Sequence, residues 1–273
     1  MTDMSVGTTR IGSRTISRVI LGGNPFSGFS HQGTEMDDRM RHYYTAARIK
    51  EEFRRAEKLG VTTHIGRADH HIMRVLMEHW DEGGKIQWIA QTCPELGPTM
   101  TGASNGIHGG AVACFVHGGR MDWLLANNQL DEAVSAVAEI RKAGLAAGIA
   151  GHKPEIFDWA LKNLDCDFFM CCYYNPTDRS KRAEHVPGVT ESFHPDDRDA
   201  MMRRIERLPK PVIHYKVLAA GRTDPKAAFD YVARHLRPQD AVCLGIFSGD
   251  KPSMLEEDVA ILRASLKAVG KEL

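Results

Sequence analysis

Of the 13 histidines in this chain of 273 residues, His64, His117, His152 and His214 each fall at, or just past, the carboxyl end of a segment that reads as a buried strand. Imidazole ligates Zn, Mn, Fe or Ni, and it moves protons near neutral pH. Brought to one mouth, these four rings would hold a divalent metal, and His117 would also act on the substrate. Asp69 stands at a similar height and would serve as a general base. Lys216 would stabilise an enolate oxygen, while Asn24, Gln91, Asn175 and Tyr215 would contact the substrate.

Each of these residues has a plainer use. A single strand-end histidine is more often a hydrogen-bonded structural residue than a ligand. Strand alternation places His214 and Lys216 on one side of their strand. There Lys216 would serve as a Schiff-base lysine, a phosphate or carboxylate binder or a charge partner, or else snorkel outward. Cys171 and Cys172 read as small buried apolar residues before a redox pair or soft metal ligands. His70 and His71 open a helix, and His31, His42, His108, His185 and His194 sit in connections, where exposure is expected. The chain has no HExxH, CxxC, GxGxxG or GxxxxGK[ST] pattern, so no Rossmann or P-loop nucleotide site is indicated.

The elements that must position these residues follow from the apolar pattern. Short runs at 19–22, 62–65, 87–91, 112–117, 145–150, 167–172, 211–216 and 241–247 predict strands. Most are apolar throughout, as a parallel strand covered on both faces should be. Between them, 46–59, 71–79, 131–143, 154–164, 195–208, 225–235 and 252–266 predict helices. Repeated strand–helix units predict an α/β fold, a single (β/α)8 TIM barrel over residues 1–273, with a doubly wound open sheet as the alternative. The connections 23–45 and 173–194 are longer than most. Both leave carboxyl ends of strands, where barrels build their sites, and both are expected to be ordered lids.

Composition excludes several function classes. Lys plus Arg and Asp plus Glu each total 35, for zero formal net charge. That balance argues against a nucleic-acid binder and an electrostatic membrane binder. No apolar run approaches the ~20 residues of a membrane span, and the first residues lack a signal peptide's apolar core. Six cysteines are too few for a disulfide scaffold in so long a chain. A cytoplasmic protein with reduced thiols is expected, acting on a small molecule, with a homo-oligomer open.

The order of motifs resembles the aldo/keto reductase superfamily over nearly the whole chain. ISRVILGGNPFSG is similar to that family's first barrel strand and Gly-rich turn, and AEKLGVTTHIGRADHH to its helix, turn and second strand. FVHGGRMDWLL is similar to its fourth strand, and DEAVSAVAEIRKAGLAAGIAGHKPEIFDWAL to the helix and fifth strand that follow. YYNPTDR, VIHYKVLAAGR and LGIFSGDKPSMLEEDVAIL resemble the last three strand ends. The resemblance implies a catalytic Asp, Tyr, Lys and His. His117 matches the histidine; the Asp position holds His64, the Lys position Gln91, and no tyrosine lies near Asp69 or His70. The pair that would grip a nicotinamide amide reads Gly151-His152, while Tyr215 matches the aromatic on which the nicotinamide stacks. Ser248 and Lys251 are kept, and Glu257-Asp258 stand near where a 2′-phosphate would lie.

Together these readings predict a barrel of this kind rebuilt around imidazoles. The expected chemistry is metal-dependent elimination, hydration or isomerisation of a hydroxy-carbonyl or sugar-like compound. One alternative is an NADPH-dependent reductase with an altered proton donor. Another is a non-catalytic ligand-binding barrel.

Overall fold

The computed structural model describes residues 6–186 and 189–273. Residues 1–5, and 187–188 within the connection 173–194, lie outside the described residues. The first element is a hairpin, β1 (Thr8–Ile11) and β2 (Arg14–Ser17), paired antiparallel across Gly12 and Ser13. Gly12 takes φ 56°, a left-handed value that glycine adopts at no steric cost.

Eight parallel strands follow: β3 (Val19–Gly22), β4 (Thr63–Arg67), β5 (Gln87–Gln91), β6 (Ala113–Val116), β7 (Ala146–Gly151), β8 (Phe168–Cys172), β9 (Val212–Tyr215) and β10 (Ala241–Gly245). They close in the order β10-β3-β4-β5-β6-β7-β8-β9. Each predicted run lies within a residue or two of an observed strand, and the barrel is present rather than the open sheet.

Alternation sorts the side chains into two cores. Ile20, Ile65, Ile89, Phe115, Phe168, Met170 and Ile213 fill the barrel together with Ile11 and Ile16 of the hairpin. Their neighbours Leu21, Trp88, Val116, Ile149, Phe169 and Leu244 face outward into the layer beneath the helices. The hairpin therefore caps the amino end of the barrel, a role the sequence reading did not assign to it.

The helices are α1 (Thr34–Tyr43), α2 (Ala46–Lys58), α3 (His70–Asp81), α4 (Thr99–His108), α5 (Gly118–Ala126), α6 (Asp131–Lys142), α7 (Pro154–Asn163), α8 (Pro195–Ile205), α9 (Pro225–His235) and α10 (Met254–Ala268). Helix α2 buries Ile49, Phe53 and Ala56, the face its spacing predicts. Helices α1, α4 and α5 were not among the predicted ones. The connection 23–45 holds a short turn of helix at Pro25–Ser27 and α1. All six cysteines are free. Among the described residues no helix is long and apolar enough to cross a membrane.

Candidate active site

A cavity of about 440 Å³ opens at the carboxyl ends of the strands. Its walls take in Asn24, Gln91, His117, His152, Tyr215 and Lys216. Positions of inward parity on β6, β7 and β9 deliver His117, His152 and Tyr215.

The best-connected group is a ladder of hydrogen bonds. The Nδ1–H of His152 donates to Asp122 Oδ2 at 2.6 Å, and the His152 backbone N–H donates to Asp122 Oδ1 at 3.3 Å. His152 Nε2 lies 3.4 Å from the Tyr215 hydroxyl. Burial works against a charged ring here, but Asp122 and then Cys172 outweigh it and lift His152 to about 9. The imidazolium therefore persists at neutral pH. Its Nε2–H points at the phenol oxygen, and the phenol itself is hydrogen-bonded to Cys172. Burial holds the Tyr215 phenol well above its ordinary value, so that proton stays on. Cys172, in register with Tyr215, is drawn the other way. Burial disfavours its thiolate, yet His152 and Lys216 bring the thiol below its usual value.

His117 caps α5. Its Nδ1 accepts from the Gly119 N–H at 3.1 Å, so the proton of the neutral ring lies on Nε2. Burial and the cations His152, Arg179, Arg67 and Lys216 hold its pKa well below the ordinary value. His117 is thus a neutral donor on the cavity wall. Gly118 lets α5 start this close: a Cβ there would sit 2.9 Å from the Tyr215 hydroxyl and 3.0 Å from His152 Cε1.

The four-histidine metal set does not form. His64 and His214 have outward parity and are wholly buried beneath the helices. His64 donates from Nδ1 to the Leu21 carbonyl at 2.9 Å and packs against Phe26 and Phe53. It fits because Gly23 and Gly66 lack side chains; a Cβ on Gly23 would come within 2.7 Å of its ring. Burial pushes its pKa down to about 3. His214 receives the Tyr173 hydroxyl at Nδ1 (2.9 Å) and donates from Nε2 to Asp240 (3.2 Å). Asp240 also takes Arg237 and the Val212 N–H. Both rings therefore serve the packing of the barrel wall.

Two further expectations are corrected. Asp69 is no general base in the mouth; it caps α3 by accepting the Ile72 N–H at 2.9 Å and pairs with Arg67 at 2.7 Å. Asn175 does not line the cavity: its N–H donates to Asp197 at 3.1 Å, and its Oδ1 is buried without a partner. Asn24, Gln91 and Tyr215 do line it, as expected. Lys216 reaches it by a different route from the one predicted. Its φ of 56° breaks the alternation, so it turns into the cavity while His214 two residues earlier faces out. Burial lowers the Lys216 pKa.

Sequence reading missed Asp122, whose role shows only through its contact with His152. It also missed Arg67 and Arg179, which line the mouth, and it expected exposure for His31 and His185, which line it too. Arg67 carried a usable signal, being two residues beyond the inward Ile65.

From the mouth the cavity continues past Val217, Leu218, Ile246 and Phe247 to Lys251, Met254 and Asp258 beside α10. Asp258 Oδ2 in this groove is buried without a hydrogen-bond partner, while Ser248, on the connection into α10, lies against Glu52 and Tyr44. Burial, and then Glu257, raise the Asp258 carboxyl to about 6. Lys251 is paired with Glu257.

Neither a family model nor a curated protein sequence matches the chain. Solved structures do. A Pseudomonas aeruginosa protein provisionally named an aldo-keto reductase aligns at 18% identity and TM-score 0.62, covering 97% of this chain and 96% of its own. Gox0644 in its apo form aligns at 13% identity and TM-score 0.62, covering 97% and 93%. A truncated 3-deoxy-D-arabino-heptulosonate 7-phosphate synthase from Thermotoga maritima aligns at 12% identity and TM-score 0.58, covering 99% and 96%. At such identities the likeness shows the barrel, the one the sequence resemblance implies, and the chemistry has to come from the side chains.

Proposed function

We propose that this barrel is an oxidoreductase that reduces a small hydroxy-carbonyl compound to an alcohol. The observation that carries the reading is the ladder Asp122–His152–Tyr215, which holds a protonated phenol on the wall of the cavity that His117 also lines. Carbonyl reduction needs a hydride at carbon and a proton at oxygen. Tyr215 donates the proton to the carbonyl oxygen, and His152 restores it from Nε2 while Asp122 holds the ring. The Nε2–H of His117 stabilises the negative charge that develops on the same oxygen. Asn24, Gln91 and Lys216 orient the substrate's hydroxyl groups.

A nicotinamide cofactor would supply the hydride. The groove suits a dinucleotide. The unpartnered Asp258 oxygen in the groove would take up a ribose hydroxyl. A carboxyl pair at Glu257 and Asp258, with Lys251 already paired, favours an unphosphorylated ribose over a 2′-phosphate. The cofactor expected is thus NADH before NADPH. The metal-dependent lyase reading has lost its four-histidine ligand set and its Asp69 base.

The test is a titration of the protein with NADH and NADPH by fluorescence quenching, followed by turnover on a panel of hydroxy-ketones and hydroxy-aldehydes. NADH should bind in the micromolar range and more tightly than NADPH. Tyr215→Phe, which keeps the ring, should leave NADH binding intact and lower kcat by about 10²- to 10³-fold. Absence of binding by either nucleotide, or full turnover in Tyr215→Phe, overturns the reading.

A further inference from the structure

The rim of the cavity carries a second group of side chains that the ladder does not use. His31 comes from the connection that enters α1, and His185 and Glu191 from the connection that enters α8. His31 Nδ1 lies 2.8 and 2.9 Å from the two Glu191 oxygens. His185 Nδ1 lies 3.8 Å from Glu191 Oε1. One ligand atom from each of the three falls within 4.8 Å of the other two. A transition ion bound at ~2.0–2.2 Å to nitrogen and oxygen needs its donors about 3–3.5 Å apart, so small side-chain rotations suffice.

The surroundings hold these groups in place. Their side chains are 10% (His31), 16% (His185) and 5% (Glu191) exposed. His31 adopts φ 59°, uncommon for a side-chain-bearing residue, and its carbonyl is held by Arg222 at 2.7 Å. The Asn24 amide lies 3.5 Å from His31 Nε2, and the Thr177 hydroxyl 3.4 Å from Glu191 Oε1. Such outer partners fix the orientation of metal ligands. The two rings stand at 84° to each other.

We propose that His31, His185 and Glu191 form a binding site for one divalent first-row transition ion. Two imidazoles and a carboxylate suit such ions. Three protein ligands leave coordination open, and His31 and His185 both line the cavity, so a water or a substrate oxygen completes the shell. The ion joins the two long connections across the mouth. The site stands independently of the reductase reading.

Cobalt(II) is the probe, titrated into tag-free, chelator-stripped protein and followed by its visible d–d absorption and by metal content per chain. One equivalent should bind. Glu191→Gln, which keeps size and shape, and His31→Asn should each weaken binding on the order of 100-fold. His71→Asn, on the exposed start of α3, should change nothing. Tryptic cleavage at the exposed Lys181 and Arg182 should slow when cobalt is bound. If wild type binds no tighter than Glu191→Gln, or if occupancy leaves cleavage unchanged, the site is wrong. Should His31→Asn fail to fold, Glu191→Gln alone decides. NADH titration of the same samples keeps this outcome separate from that of the reductase.

Discussion

His117 and His152 on one side of the barrel, and His64 and His214 on the other, began as equals: four imidazoles near carboxyl ends of strands. The structure divides them by parity. The first pair lines the cavity; the second is wholly buried between strand and helix. The environments differ accordingly. His152 is lifted to about 9 because Asp122 outweighs the burial, whereas His64 is pushed to about 3 because burial meets only a backbone carbonyl. One residue type at similar height thus gives a proton donor or a neutral packing element, and a single step along the strand decides which.

Three variants break or sharpen this contrast. The largest effect belongs to Asp122→Asn, which removes the charge that sustains the imidazolium. With reduction dependent on protonated His152, the wild-type rate should be flat to neutral pH and fall above about 9. In the variant the fall should begin no higher than the ordinary histidine value of 6.5, because burial then works on the ring without the carboxylate to oppose it. That is a loss of proton affinity of at least about 100-fold, read from the pH profile of kcat. The sign for stability agrees. A raised native pKa contributes stability in full below 6.5, and that contribution fades as pH rises through 9.

His214→Leu should act on folding alone. It strips one partner from buried Asp240 and one from Tyr173, although Arg237 remains on the carboxylate. A loss of about 2 kcal/mol, roughly 30-fold in the folding equilibrium, should appear in urea unfolding. NADH affinity and kcat of the folded fraction should not change. A loss of turnover at unchanged stability would place His214 in the site after all.

The smallest effect is that of His64→Leu. The unfolded chain protonates this histidine below 6.5, while the native state holds it neutral down to about 3. Stability is therefore lost as pH falls through that window. At pH 5.5, one unit below the ordinary value, the cost is about tenfold in the folding constant. The variant should lose this part of the acid sensitivity, measured as the difference in urea midpoint between pH 7 and 5.5. An unchanged difference would remove the assignment.

The barrel was legible because parallel strands covered on both faces leave continuous apolar runs, and because Gly60 and the prolines at 154, 195 and 225 mark helix ends. Helices α4 and α5 were missed. The first has Thr99, Gly102 and Gly106 among its buried positions, and the second opens on two glycines, so neither shows an apolar stripe. The hairpin carried a signal that went unused, since Gly12-Ser13 between short β-rich runs is a two-residue turn. In the site, residue type was legible and direction was not. His117, Tyr215, Asn24 and Gln91 were placed correctly, but the side of the strand on which His64 and His214 lie depends on register against the inner layer. Asp122 could not have been found, because an acid on the second turn of a helix says nothing about a histidine 30 residues away. Lys216 escaped the alternation rule through one left-handed backbone angle.

The hairpin at the amino end deserves a last consequence. Among the described residues, Ile11 and Ile16 stopper the amino end of the barrel, so the cavity opens toward the carboxyl ends of the strands. Whatever settles deepest must enter first and depart last. If two ligands share the chamber, inhibition patterns should therefore show a compulsory sequence of binding and release, which a tube open at both ends would not impose.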